Sequence, residues 1–222
     1  MLLLKIREQV NKHIMINKDN FSILPIFPST VCAANISDDL SGLEKIKDFD
    51  YEIITSDESY NSFKTEDNQL LSKFPKEKAI LLSYFNKFKN DILELRDNEF
   101  GIASSWATRV DTNGFCQYHD HRNSYYSGVL YLDSVKDGGE IQFQNPLPSS
   151  VFLLNPTEWN SFNFEVFHLN PEKNLLILFP SYLKHRINKY LGSTSRYSLA
   201  FNIVPIGKFG RGDSTVNYQL ID

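Results

Sequence analysis

After residue 100 the chain becomes a succession of short runs rich in Val, Ile, Phe and Tyr, each closed by a turn signal. The runs are GIASSWATRV, FCQYHDH, YSGVLYLD, GEIQFQN, SFNFEVFHL, NLLILFPS, HRINKY and RYSLAFNIV. DTNG and KDGG are the clearest turns between them, because Asn and Gly adopt positive φ at little cost. Many short strands at this spacing predict a sandwich or double-sheet jelly roll. A length of 222 residues suits one substantial core and does not call for two.

The front of the chain reads differently. Residues 21–34 are expected to be extended, with Pro25 and Pro28 confining them to an edge or outside a sheet. SDDLSGLEKIKDF reads as a short helix, with Ser41 and Glu44 spaced as a capping box. Asp57 to Asn68 is polar and reads as loop. In PKEKAILLSYFNKFKNDILELRD, the residues Leu81, Phe85, Phe88, Ile92 and Leu95 fall on one helical stripe, and Pro75 suits its first turn. The fold class is therefore mainly β with flanking helices, the helices packed on one sheet. Residues 1–15 read as an N-terminal appendage and 16–222 as a single domain with its core at 100–207.

Composition narrows the function classes. The formal net charge of -4 argues against a general nucleic-acid binder, which needs a basic face. No apolar run approaches a membrane span, and MLLLKI is too short for a signal-peptide core. Cys32 and Cys116 form no CxxC pair and no disulfide framework. The expectation is a cytoplasmic protein, monomeric or a homodimer, without membrane or nucleic-acid partners.

The chemistry concentrates in QYHDHR. The chain has 5 histidines, and two of them stand one residue apart here. On a strand, alternate side chains share a face, so His119 and His121 point one way and Asp120 the other. Two imidazoles so placed can chelate one metal ion. His185 follows a distant apolar run, and Arg196 opens the next. On that last run Arg196, Ser198, Ala200 and Asn202 share a face opposite Tyr197, Leu199 and Phe201. A polar face turned inward needs a polar occupant. Taken singly, each histidine reads equally as a hydrogen-bonded core or surface residue, and Arg196 as an ion-paired one. The set carries the metal reading. On these residues alone the pattern supports a metal site with an adjacent anion pocket, and nothing finer.

HDHRNSYYSGVLYL, GGEIQFQNP, LLILFPSYLKHRI and RYSLAFNIVPIGKFG, in that order, resemble the iron(II)- and 2-oxoglutarate-dependent oxygenases. The closer likeness is to oxygenases carried by marine bacteriophages and some bacteria, related to the prolyl hydroxylases; ILPIFPSTV also resembles that group's opening segment. The resemblance implies a double-stranded β-helix, a cupin-like jelly roll, using Fe(II), 2-oxoglutarate as co-substrate and O2. It makes His119 and His185 metal ligands. The position two after the first ligand is usually Asp or Glu in the superfamily, completing a facial triad; here it is His121. Either the third ligand is His121 or Asp120 swings in, and strand alternation favours His121. Arg196 matches the basic residue that holds the distal carboxylate of 2-oxoglutarate, for which a guanidinium fork is well shaped. Tyr131 matches a tyrosine that donates to the same carboxylate, and Ser198 and Asn202 are carried as further pocket residues. Trp106 and Asn123 are candidates for the substrate mouth.

The implied activity is a dioxygenase that hydroxylates a peptidyl residue, as prolyl hydroxylases do, or a small metabolite, releasing succinate and CO2. Two competitors keep the jelly roll: a cupin-like metal enzyme that does not use 2-oxoglutarate, and a non-catalytic binding module.

Overall fold

The computed structural model describes residues 16–18, 21–23, 27–55, 60–147 and 154–220. The chain divides into two units, residues 1–30 and 31–222. In the first, β1 (Ile16–Lys18) and β2 (Phe21–Ile23) form an antiparallel ribbon. The region read as an appendage, residues 1–15, lies outside the described residues.

The second unit is built on two antiparallel sheets. The larger runs in the order β3 (Cys32–Asn35), β10 (Leu175–Pro180), β7 (Tyr126–Tyr131), β12 (Arg196–Phe209), β6 (Glu99–Val110), β5 (Ser62–Lys64) and β4 (Glu52–Ile53). A short β13 (Val216–Tyr218) pairs with the end of β12. The smaller sheet runs β11 (His185–Ile187), β8 (Ile141–Gln144), β9 (Val166–Leu169). This is the jelly roll that the run spacing predicts.

Strand alternation sorts the side chains into two cores. Leu130, Leu176, Leu178, Leu199, Phe201 and Ile203 face outward from the large sheet and meet the helices. Those helices are α1 (Pro75–Asp91) and the 3-10 segments Ser41–Asp48 and Leu70–Lys73. Phe85 of α1 lies edge-on to Phe100, with ring centroids 5.3 Å apart. The opposite residues of the same strands, Tyr131, Ile177 and Phe179, meet Ile141, Phe143 and Leu183 inside the roll. That interior is where the polar face of β12 must be satisfied.

Four local expectations are corrected. Ser41 does not cap its helix: Leu40 holds that position, and the Asp39 carboxylate accepts the Ser41 amide at 3.0 Å, while Glu44 is drawn to Lys47 and Lys173. The stretch read as loop from Asp57 contains β5, whose pairing to β6 outweighs its polar composition. Helix α1 ends at Asp91, so Ile92 leaves the stripe and is exposed, while Leu81, Phe85 and Phe88 are buried as expected. FCQYHDH is not a regular strand. It is an extended segment held by isolated contacts: Cys116 N to Ile187 O at 3.0 Å, a reciprocal pair between His119 and His185 at 3.0 and 2.9 Å, and His121 N to Ser181 O at 2.9 Å.

The turns behave as read. Asn113 in DTNG has φ 69°, and Gly138 and Gly139 in KDGG have φ 84° and 73°. A Cβ on Gly139 would press on Tyr190 and on Arg196 Cδ at 3.2 and 3.3 Å, so this turn also makes room for the arginine.

Candidate metal and anion site

The extended segment keeps the alternation that matters. His119 and His121 point into the mouth of the roll, where His185 joins them from the start of β11. Ligand atoms of the three lie within 4.8 Å of one another. Ring centroids are 4.4 Å apart for His119–His185, 5.0 Å for His121–His185 and 5.2 Å for His119–His121. Asp120 is outside the cluster, its carboxylate held by Arg122 at 3.2 Å. The geometry therefore brings His121, not Asp120, to the other two.

Each ring uses its Nδ1 elsewhere. His119 Nδ1 lies 2.9 Å from Gln117 O and His185 Nδ1 3.0 Å from Leu183 O. His121 Nδ1 lies 2.8 Å from Asn202 Oδ1 and 3.1 Å from Ser127 Oγ. A carbonyl only accepts, so the bonded Nδ1 carries the proton and Nε2 keeps a free lone pair. Three neutral imidazoles presenting Nε2 are a donor set suited to a divalent first-row metal.

Burial keeps the inner rings neutral. His185 packs against Phe179 and Phe143, with centroids at 4.6 and 6.1 Å. Burial, reinforced by the neighbouring His119, pushes its pKa down to about 3. Burial also lowers that of His121. Desolvation disfavours the charged form of a base, so both reach neutral pH ready to bind.

Deeper in the roll, Arg196 is buried, with 1% of its surface exposed. Its guanidinium stands 4.9 Å from the Tyr131 ring centre. Among the described residues its Nε and Nη1 have no hydrogen-bond partner, and neither has the Tyr131 hydroxyl. Tyrosine and arginine are close enough to couple electrostatically, but they fall short of hydrogen-bond geometry. Burial lowers the arginine's pKa and raises the tyrosine's. Ser198, also buried, sits across the ladder from Tyr131. Donors this dry and unpaired call for an anion with oxygens to offer.

Residues 104–202 match the model of a family described as "Putative 2OG-Fe(II) oxygenase". The match covers the jelly-roll segment and includes His119, His121, Tyr131, His185 and Arg196. No curated protein sequence matches the chain. Among solved structures, an oxidoreductase of the 2OG-Fe(II) oxygenase family from Burkholderia pseudomallei is 15% identical with a TM-score of 0.55, over 78% of this chain and 84% of that one. HygX from Streptomyces hygroscopicus, solved with nickel, 2-oxoglutarate and hygromycin B, is 11% identical with a TM-score of 0.53, over 80% of this chain and 83% of that one. At such identities the likeness is one of fold. The family so described is named for iron(II) and 2-oxoglutarate, and the residues present here fit both groups. The imidazole trio suits the metal, and the orphaned donors of Arg196 and Tyr131 suit a carboxylate.

Other sequence candidates fall as follows. Asn202 does not turn toward Arg196; its amide goes to His121, Ser127 and Ser104. Trp106 lies beside the histidine cluster, its ring 5.4 Å from that of His121. Asn123 is in an exposed turn with φ 66°. Ser104 and Ser181, missed in the sequence, belong to the polar network behind His121. The available signal for Ser104 was its place on the Trp106 face of its strand. Ser181 lies just after a strand, where alternation gives no guidance. No described helix is long and apolar enough to cross a membrane.

Proposed function

We propose that this protein is an iron(II)- and 2-oxoglutarate-dependent oxygenase acting as a hydroxylase: it inserts one oxygen atom of dioxygen into a C–H bond of a peptidyl residue, in the manner of prolyl hydroxylases, or of a small metabolite. The second oxygen atom goes to 2-oxoglutarate, which leaves as succinate and CO2. Residues 16–222 act as one functional domain around a site at the roll mouth. The reading rests on one observation, a cluster of three imidazoles beside a buried arginine whose donors are unpaired. HygX, solved with hygromycin B, is a precedent for a small-molecule ligand on this fold.

In this mechanism His119, His121 and His185 would hold iron(II) through Nε2. The unpaired guanidinium of Arg196 would hold the distal carboxylate of 2-oxoglutarate, and the Tyr131 hydroxyl would donate to the same group. Ser198 flanks that carboxylate. Bound iron and 2-oxoglutarate supply the activation of dioxygen. Phe143, Phe179 and Ile177 keep the inner pocket dry, which strengthens each polar contact there. Trp106 forms one wall of the open mouth and orients the substrate.

The test is anaerobic addition of iron(II) and 2-oxoglutarate to apoprotein, watching for the visible charge-transfer band of the chelate. The band is expected in wild type and absent in His185→Ala. No band at saturating cofactors would sink the reading. Peptide and metabolite panels assayed for succinate then distinguish the two substrate classes.

A further inference from the structure

The side chains behind His121 form a relay with a direction. Asn202 Nδ2 donates to Ser104 Oγ at 3.0 Å, which turns the amide oxygen toward the site. That oxygen accepts from Ser127 Oγ at 2.9 Å and lies 2.8 Å from His121 Nδ1. Ser127 has thus spent its proton and can only accept from its other neighbours, Ser181 Oγ at 2.9 Å and His121 Nδ1 at 3.1 Å. Ser127 and Ser181 are fully buried, so water does not compete for these bonds. The backbone is shaped for the arrangement. Between β6 and β12 the register slips beside Asn202: Ser104 faces Asn202 and Ile102 faces Ile203, leaving Ala103 as an extra residue. The freed Ala103 carbonyl is taken by Gln69 Nε2 at 2.8 Å. Such a bulge re-aims the side chains around it.

We infer that Asn202 is a positioning residue for the third metal ligand: held by Ser104 and Ser127, its oxygen keeps the proton of His121 on Nδ1 and so points the Nε2 lone pair at the metal. An acceptor fixed at this place also selects an imidazole over a carboxylate at position 121, because a carboxylate would meet it oxygen to oxygen. This inference rests on the metal-site reading above.

The experiment uses cobalt(II) as probe on full-length protein. Cobalt affinity is measured by titration, and hyperfine-shifted imidazole N–H signals by proton NMR in H2O. Wild type is expected to show three exchangeable N–H signals, one per histidine of the cluster. Asn202→Leu should lose one of them and bind cobalt about 10–100-fold more weakly, the usual effect of removing such a partner. Asn202→Asp, which can only accept, should keep all three. Ser104→Ala, which touches no histidine but frees the amide to turn, should weaken binding in the same direction. His121→Asp should bind more weakly than wild type. Apoprotein melting checks that each variant folds, and should Asn202→Leu fail that check, the Asp and Ser104 variants decide. If Asn202→Leu, or Ser104→Ala in its place, keeps three signals and wild-type affinity, the inference falls while the metal site stands. If wild type itself binds no cobalt through histidine, the metal reading falls and the inference with it.

Discussion

Replacing Arg196 by methionine should separate ligand binding from stability, and in opposite directions. The guanidinium is 1% exposed and leaves Nε and Nη1 without partners. Without co-substrate the fold therefore carries a buried, poorly paired charge. An unbranched apolar chain of similar length removes that penalty, and such exchanges are often neutral or stabilising. Each unsatisfied buried group costs about 1–3 kcal/mol. Against this stands the lost contact of the guanidinium with the Tyr131 ring at 4.9 Å, about 0.5–2 kcal/mol. The net expectation is a gain on the order of 1 kcal/mol, or about 2–4 °C in melting temperature for a chain of this size. Binding runs the other way. Truncating one partner of a buried, hydrogen-bonded charge pair costs about 2–5 kcal/mol. That weakens 2-oxoglutarate by roughly 30-fold to several thousand-fold. Calorimetric titration of 2-oxoglutarate into the nickel-loaded protein measures the second effect, and melting of metal-free protein the first. If Arg196→Met binds 2-oxoglutarate like wild type, the arginine is not the carboxylate anchor. If the metal-free variant melts more than about 10 °C lower, far outside that expected range, the guanidinium has a structural partner and the orphaned-donor argument fails.

Other expectations follow from the same structure. His121→Ala should weaken nickel binding by at least about 100-fold while Asp120→Asn changes it less than about twofold, since only the former supplies a ligand; equal losses would return the carboxylate to the site. Gly128→Ala places a methyl against the Phe201 ring. It should cost about 1–3 kcal/mol by overpacking, read as a lower denaturant midpoint; no shift would mean the ring yields freely. Phe85→Ala empties a fully buried position under α1, at about 3–5 kcal/mol. Its 2-oxoglutarate affinity should be unchanged, because the ring lies in the outer core and not inside the roll.

Much of this protein was legible in its sequence because two periodicities are local properties of the backbone. Period-two alternation put Arg196, Ser198 and Asn202 on one side of β12 and Leu199 and Phe201 on the other. The same rule put Tyr131 inside the roll and Leu130 outside. It also kept His119 and His121 together even though their segment is not a regular strand. Where the sequence misled, a distant partner had overruled composition. Polar residues became β5 because the edge of β6 was open to them, and Ile92 left its stripe because the helix stopped one residue earlier.

Tertiary structure alone decided which polar residue does what. Sequence placed Asn202 on the pocket face, but only the slipped register between β6 and β12 and the positions of Ser104 and Ser127 turned it to His121 rather than to Arg196. Likewise, nothing local distinguishes a buried arginine that is paired from one whose donors are free. The physical reason is one of range. Alternation and turn chemistry act over a few residues, whereas a hydrogen bond chooses among all groups that the fold brings within about 3 Å, and here those groups lie up to 98 positions apart in the chain.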